Sequence, residues 1–233
     1  MVLLTGDTHG RFERIIDTAR KLNLGADDCI VILGDAGFNF YGRHGDDQRK
    51  RRVNALNVPV FCIHGNHEMR PATIPSYSEA QWHGGTVWME EEYPNLLFAK
   101  DSETYRLGDR SAFVIGGAYS VDKYYRIARN PIEPKWWADE QPSEAIRTQV
   151  ESALQHKDWR VDVVLTHTCP GKFTPTEAFL PGIPQESVDH GTEDWLDTIE
   201  SRLNYAEWYC GHWHINKNAG KMHFLYEDWV ELT

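Results

Sequence analysis

Five short segments, spread along the whole chain, carry side chains that bind metal ions. Each follows a run of β-forming residues, and glycines mark most of the turns on which they lie. The segments are Asp7-Thr8-His9, Gly34-Asp35, Gly65-Asn66-His67-Glu68, Thr166-His167 and Gly211-His212-Trp213-His214. Carboxylate, imidazole and amide oxygen together form the ligand set of two-metal hydrolytic centres, which bind both oxygens of an in-line phosphoryl displacement. The sequence therefore predicts metal-dependent phosphoryl chemistry.

Most of the segments are weak signals when taken singly, although Gly65-Asn66-His67-Glu68 is more specific because Asn is an uncommon metal ligand. Asp7 has the residue type and position of a helix N-cap, and Gly34-Asp35 is also a common turn. A lone histidine at a strand end, such as His167, is usually structural. The two imidazoles at 212 and 214 favour a metal more strongly, and the five segments in this order favour it jointly.

The elements that must position these residues are predicted by periodicity. Apolar runs at 2–5, 29–33 and 60–63 alternate with helical patterns at 12–22 and 46–56, which is typical of α/β layering. The metal-type residues follow the carboxyl ends of the strands, where open α/β sheets bind their ligands. We therefore expect an α/β fold in which the five segments meet.

The second half of the chain predicts another sheet. Short runs between 84 and 117 resemble an antiparallel meander with which this sheet begins. The later predicted elements are an ordered surface excursion at 131–142, a helix that Ser143 opens and that runs to 155, a strand at 161–166, a loop at 170–191, a helix at 193–203, a strand at 207–210 and edge strands at 221–225 and the C-terminus.

Composition limits the possible partners. The 233 residues carry a formal net charge of -11 with a pI near 5.4, which argues against binding to nucleic acid or to anionic membranes. No apolar stretch approaches the roughly 20 residues that a bilayer-spanning helix needs. No Pro/Gly/Ser linker separates the five segments, so we expect one domain over residues 1–233.

The cysteines and the N-terminus favour a cytoplasmic protein. The four cysteines have no CxxC spacing and lie in or beside apolar runs, which is typical of reduced core residues. Met1 leads directly into an apolar run and Asp7, without the basic and apolar regions of a secretory leader.

The ordered set DxH, GD, GNHE, TH and GHxH resembles the calcineurin-like metallophosphoesterase superfamily, and it spans the chain from Asp7 to His214. The resemblance implies a four-layer α/β/β/α sandwich with two facing mixed β-sheets and two metal ions at the strand ends. The implied ligands are Asp7, His9, Asp35 and His214 for the first ion, and Asp35, Asn66, His167 and His212 for the second. Asp35 would bridge the two ions.

The implied mechanism needs no side-chain nucleophile. Two cations about 3.5 to 4 Å apart lower the pKa of a bridging water and generate hydroxide near neutral pH. His67, outside the ligand set, would donate a proton to the leaving alkoxide. Nitrogen and oxygen ligation without thiolate suits Mn, Fe, Zn, Co or Ni, and we expect Mn first and Fe next.

Two alternatives stay open. The protein Ser/Thr phosphatase branch shares GNHE, but its GDxxDRG motif has an Asp and an Arg where this chain has Phe38 and Asn39. The usual carboxylate partner of the catalytic histidine and a phosphate-binding arginine are thus missing from that turn. A non-catalytic metal-binding scaffold is the second alternative, although all seven ligand positions are filled.

Substrate contacts are predicted from one further segment. Residues 122–126 are expected on a loop, where Arg126 or Lys123 would bind a substrate phosphate and Tyr124 would stack on a ring. An ordinary solvated loop fits these residues equally well. The basic run at 49–52 is interpreted as a solvated helix face with internal ion pairs. The expected substrate is a small molecule or an exposed phosphoester, either mono- or diester, and no protein partner can be inferred.

Overall fold

The computed structural model describes residues 1–42 and 44–233. In this part of the chain the helices are α1 Glu13–Lys21, α2 His44–Asn54, α3 Lys123–Arg129, α4 Glu144–Gln155 and α5 Gly191–Glu200. The strands are β1 Val2–Thr5, β2 Cys29–Ile32, β3 Val60–Cys62, β4 Tyr77–Trp82, β5 Gly85–Glu90, β6 Leu96–Ala99, β7 Thr104–Leu107, β8 Arg110–Ile115, β9 Val163–Thr166, β10 Glu207–Cys210, β11 Lys217–Ala219, β12 Met222–Phe224 and β13 Val230–Glu231. They form two mixed sheets.

The first sheet has seven strands in the order β13-β1-β2-β3-β6-β5-β4. Strands β1, β2, β3 and β6 are parallel, whereas β13, β5 and β4 run antiparallel to their neighbours. The parallel strands are continuous apolar runs because both of their faces are buried. Pairing of Leu4 with Val31 sets the ends of β1 and β2 at the same edge of the sheet.

The second sheet has six strands in the order β11-β12-β10-β9-β8-β7. Its central strands β8, β9, β10 and β12 are parallel, and β7 and β11 are antiparallel edges. Ile115, Thr166 and Cys210 pair in one row at the carboxyl ends of three neighbouring strands. This row lies next to the predicted metal-binding residues of the second half of the chain.

Alternation of side chains along the strands builds the layers. Val31 points into the core between the two sheets, where it is clustered with Val114 and Leu165, whereas Ile30 and Ile32 pack with the residues of α1. The other side of the second sheet packs against α4 and α5. The predicted four-layer α/β/β/α sandwich with two facing mixed sheets is therefore confirmed.

The predicted antiparallel meander is confirmed only as two separate antiparallel pairs, β5 with β6 and β7 with β8, and not as one continuous meander in the second sheet. Strand β6 lies parallel to β3 inside the first sheet, whereas β7 and β8 form an antiparallel pair in the second. The turn between β6 and β7 thus carries the chain from one sheet to the other. Periodicity shows that a run is a strand but not which strand pairs with it, so the change of sheet has no local signal. Strand β4 was not predicted.

Two predicted surface features also differ. Residues 123–129 form helix α3, where a loop was expected. In α2, Arg51 and Arg52 are exposed and make ion pairs, but Lys50 is only 3% exposed and binds the buried carboxylate of Glu90. The helical face that was interpreted as solvated is thus buried at one position. None of the helices in residues 1–42 and 44–233 has the length and apolar content that crossing a membrane requires.

Candidate metal centre

The five predicted segments meet at the carboxyl ends of strands from both sheets. Asp7, Asp35 and Asn66 follow β1, β2 and β3, and His167 and His212 follow β9 and β10. Parallel strands end at a common edge of their sheet, and here the two edges face each other. Candidate ligands up to 207 positions apart in sequence are therefore in contact.

One group of ligand atoms comes from Asp7, His9 and His214. Nε2 of His214 lies 3.1 Å from Oδ2 of Asp7 and 3.0 Å from Nε2 of His9. His9 Nε2 is also 3.7 Å from Asp7 Oδ2 and 3.8 Å from Oδ2 of Asp35. Each of the three residues can present one ligand atom within 4.8 Å of the others, which is the spacing that a bound cation requires.

A second group comes from Asn66, His167 and His212. Oδ1 of Asn66 lies 2.8 Å from His167 Nε2 and 3.1 Å from His212 Nδ1. His167 Nε2 is 3.5 Å from Oδ1 of Asp35, whereas the other oxygen of this carboxylate faces the first group. Asp35 thus lies between the two groups, with one oxygen toward each.

The donor chemistry fits metal ions. Two carboxylates, Asp7 and Asp35, are each 2% exposed and lie among neutral or titratable imidazoles, with no Lys or Arg side chain bonded to either in the described part of the chain. Mixed nitrogen and oxygen donors around buried negative charge suit first-row divalent cations. His67 can also join His9 and Asp35 within ligand distance, so geometry alone leaves His67 a possible ligand.

Glycine makes the close approach of the strand ends possible. At Gly34, which has a φ of +93°, a Cβ atom would lie 2.0 Å from Nδ1 of His167. At Gly65 a Cβ atom would lie 2.1 Å from Oδ1 of Asp35. Both positions are therefore restricted to glycine by the neighbouring candidate ligands.

Further hydrogen bonds orient the candidate ligands. Nδ1 of His167 donates to the carbonyl oxygen of Leu33 at 2.8 Å, so that Nε2 points toward Asn66 and Asp35 in the site. The amide nitrogen of Asn66 donates to Oγ of Ser120 at 2.8 Å, so that its oxygen faces the two imidazoles. Both side chains are thereby fixed in the orientation that a metal ligand needs.

The electrostatics of the metal-free site are dominated by the buried carboxylates. Burial opposes ionisation of Asp35, but the neighbouring His167 outweighs it and holds the pKa of this carboxyl well below its usual range. In turn, burial lowers the pKa of His167, but the charge of Asp35 raises it more, to about 9. Burial, followed by the charge of Asp35, raises the pKa of Glu68 to about 8. Excess negative charge of this kind is what a bound cation would neutralise.

His67 has a carboxylate partner that sequence reasoning missed. Its Nε2 lies 3.6 Å from Oδ1 of Asp122, and that oxygen is 3.1 Å from Nε of Arg126. Phe38 and Asn39 lie at the positions where the phosphatase motif has its Asp and Arg. Phe38 instead packs in the core, and Asn39 accepts a hydrogen bond from the Tyr77 hydroxyl. The carboxylate thus comes from the segment that follows β8 of the second sheet, and no motif connects it to His67 in the sequence.

Of the predicted substrate contacts, Arg126 contacts the backbone of the second ligand group, where its guanidinium lies 3.5 Å from the carbonyl oxygen of Asn66. Arg126 is 8% exposed and is held by Asp122, Ser120 and the carbonyl oxygen of Lys135. Lys123 lies 4.2 Å over the ring of Trp136, and Tyr124 is 69% exposed. The structure does not place these side chains in the cleft over the candidate metal centre.

That cleft has a volume of about 410 Å³ and contains His9, His67 and His214 in its floor. Its outer wall is formed by the segment between β9 and α5, which was predicted only as a loop and contains the 3-10 turns Gly171–Phe173, Thr176–Ala178 and Gln185–Ser187. Trp213 also lines the cleft, with its ring centroid 6.2 Å from that of Phe179. The cleft thus combines a polar floor with a largely apolar wall.

Two facing mixed sheets with carboxylates, imidazoles and an amide at their shared edge define an α/β protein of the metal-dependent hydrolase class. The chain belongs to the calcineurin-like phosphoesterase family, whose sequence model matches residues 1–216. It is accordingly a phosphoesterase, and it has clusters of acidic and histidine side chains that could bind the metal ions on which the family depends. The predicted resemblance is confirmed.

Solved structures share the fold at low sequence identity. The crystal structure of TT1561 of Thermus thermophilus is 12% identical, with a TM-score of 0.51 over 97% of this chain and 87% of that one. A second crystal structure is 14% identical, with a TM-score of 0.53 over 96% of this chain and 88% of that one. No curated protein sequence matches the chain.

Proposed function

We propose that the protein hydrolyses phosphoesters at a dinuclear metal centre formed by the seven candidate ligands. The observation that carries the proposal is the position of Asp35, whose two carboxylate oxygens face different ligand groups at 3.8 and 3.5 Å from their imidazoles. A carboxylate in this position is suited to bridge two cations. Mn is our first choice for these ions and Fe the next, with Zn, Co and Ni as alternatives.

The bound cations would supply a nucleophile by lowering the pKa of a water molecule and would stabilise the charge that develops on phosphate oxygens. The residues of the chain have the remaining tasks. His67, on the rim of the first ligand group, donates a proton to the leaving alkoxide. Asp122, 3.6 Å away, holds the His67 ring in position, and Arg126 holds Asp122.

The proposed substrate is a small or exposed phosphoester, and the proposed location is the cytoplasm. A net charge of -11 is unfavourable for binding nucleic acid. Cys29, Cys62, Cys169 and Cys210 are buried and free, which fits a reducing compartment.

The test combines metal analysis with turnover. Mn-loaded protein is assayed on p-nitrophenyl phosphate and bis-p-nitrophenyl phosphate, and Asp35→Asn is the matched variant because it removes the bridging charge and keeps the side-chain shape. We expect two bound metal ions and turnover in the parent protein. In the variant we expect the pair of metal ions and the turnover to be lost. Bound metal without turnover on either ester would favour a non-catalytic scaffold.

A further inference from the structure

The outer half of the cleft is apolar and partly aromatic. The segment before α5 contributes Phe179, Leu180 and Ile183, and other parts of the chain contribute Val121 and Trp213. The rings of Phe179 and Trp213 lie 6.2 Å apart between centroids and are tilted by 34°. Such a wall, beside a polar floor, favours an apolar group with a flat surface over a polar sugar or a peptide backbone.

The same wall contains no cationic side chain. No Lys or Arg lines the cleft among residues 1–42 and 44–233, whereas Asp122, Asp189 and Glu193 do. Asp122 is paired with Arg126, but no cationic side chain of the described cleft lining is available to pair with a second phosphate or a carboxylate on the substrate, which makes its burial costly. Positive charge at the floor of the cleft would come from metal ions held by the candidate ligands, and Arg49 lines a smaller adjoining pocket together with His9 and His67.

Glu193 adds a polar atom that has no bonding partner within the part of the chain that the structure describes. The residue is 4% exposed, and Oε1 accepts a hydrogen bond from Thr168 at 2.7 Å. Oε2 is buried without a hydrogen bond, and the residue lines the cleft. Buried oxygens are nearly always bonded, so this atom is available to a group on a bound ligand.

We infer that the site selects phosphoesters that carry a single phosphate on an uncharged, ring-bearing alcohol, with the ring packed against Phe179 and Trp213. This inference rests on the proposed function, since it assigns the phosphate to the metal end of the same cleft. A hydroxyl or amino group on the ring donates a hydrogen bond to Glu193. Esters with a second anionic group are poor substrates because the cleft repels them.

Three primary-alcohol esters test this selectivity: ethyl phosphate, 2-phenylethyl phosphate and 2-(4-carboxyphenyl)ethyl phosphate. The leaving group of each ester is a primary alkoxide, so differences in kcat/KM report on the cleft and not on leaving-group chemistry. We expect the phenyl ring to raise kcat/KM by about tenfold or more over ethyl, the size expected for burying such a ring. The carboxylate of the third ester is expected to remove most of this gain. A fourth ester, n-hexyl phosphate, is the apolar control without a ring and shows whether a flat ring is preferred over an aliphatic chain.

Phe179→Ala is the informative variant, and Ile132→Ala is its control because Ile132 is 94% exposed and does not line the cleft. Phe179→Ala lowers the ratio of phenylethyl to ethyl kcat/KM by severalfold, whereas Ile132→Ala leaves this ratio unchanged. A binding measurement removes any dependence on turnover. Saturation-transfer NMR on metal-free protein is expected to show 2-phenylethanol bound, and bound more weakly after Phe179→Ala.

The outcomes separate the two levels of the proposal. A ratio near one, an equal gain for n-hexyl phosphate, or a ratio that Phe179→Ala does not change would overturn the inferred selectivity while hydrolysis stands. If no ester is hydrolysed but 2-phenylethanol binds in a Phe179-dependent way, the proposed function fails and the assignment of the ring-binding wall is supported.

Discussion

His67 Nε2 and Asp122 Oδ1 lie 3.6 Å apart, although the two residues follow strands of different sheets. His67 comes shortly after β3 in the first sheet, and Asp122 lies between β8 of the second sheet and α3. The pair exists only because the two sheets face each other. Asp122 Oδ1 is in turn 3.1 Å from Nε of Arg126, which lies in α3, and we propose that this helix thereby positions the His67 ring indirectly.

His67→Ala tests the proton donor. We expect the variant to keep its metal content and to lose about 10² to 10⁴-fold in kcat on an alkyl phosphate, the usual worth of general acid catalysis. On p-nitrophenyl phosphate, whose leaving group needs no proton, the loss is small. Metal analysis and kcat on both esters check this. Unchanged kcat on the alkyl ester would remove His67 from the mechanism, and lost metal would make it a ligand.

Asp122→Asn tests whether the carboxylate positions His67. Asn keeps the shape but not the charge, so we expect kcat on an alkyl phosphate to fall, but by less than the loss of about 10² to 10⁴-fold expected for His67→Ala. The loss in kcat should be larger for an alkyl phosphate than for p-nitrophenyl phosphate, which a general loss of stability would not produce. Asp109→Asn is the control because the Asp109 side chain is fully exposed. Equal losses on both esters would contradict the assigned role.

Much of the fold and of the ligand set could be predicted because both depend on local sequence. The apolar run at 29–33 predicts a strand without reference to its neighbours. The Gly-Asp turn that follows must then lie at the carboxyl end of that strand. Pairings across the structure leave no such local mark. The contact of Asp122 with His67, the burial of Lys50 against Glu90 and the cleft wall at Phe179 all depend on which elements face each other.

Gly34→Ala tests the packing of glycine against a candidate ligand. A Cβ atom at Gly34 would overlap His167, so we expect the second ligand group to be displaced and metal binding to fall from two ions toward one. Gly84→Ala is the matched control, because Gly84 also has a positive φ, +86°, but nothing lies within 4 Å of its added Cβ. It should cost only backbone strain, about 1 kcal/mol, with full metal content. Equal metal content in both variants would contradict the prediction.

The pKa of His167 makes metal uptake dependent on pH. The charge of Asp35, acting against burial, raises this pKa from 6.5 to about 9 in the metal-free protein, so at pH 7.5 the imidazole holds a proton. A metal ligand must be neutral, and binding therefore releases that proton. Affinity should rise with pH, by about tenfold per unit for one proton released, and level off near pH 9.

The same shift fixes the sign of the effect on stability. Without metal, the stabilisation from the pair of His167 and Asp35 is fully present below pH 6.5, the ordinary pKa of His, and is lost as the pH rises through about 9. Metal-loaded protein lacks this loss because its imidazole is already neutral. Calorimetric titration with Mn in buffers of different ionisation enthalpy counts the protons, and denaturant unfolding at pH 6.5 and 9 measures the stability. Metal binding at pH 7.5 without proton release would contradict the prediction, because it would show that His167 is already neutral before the metal binds.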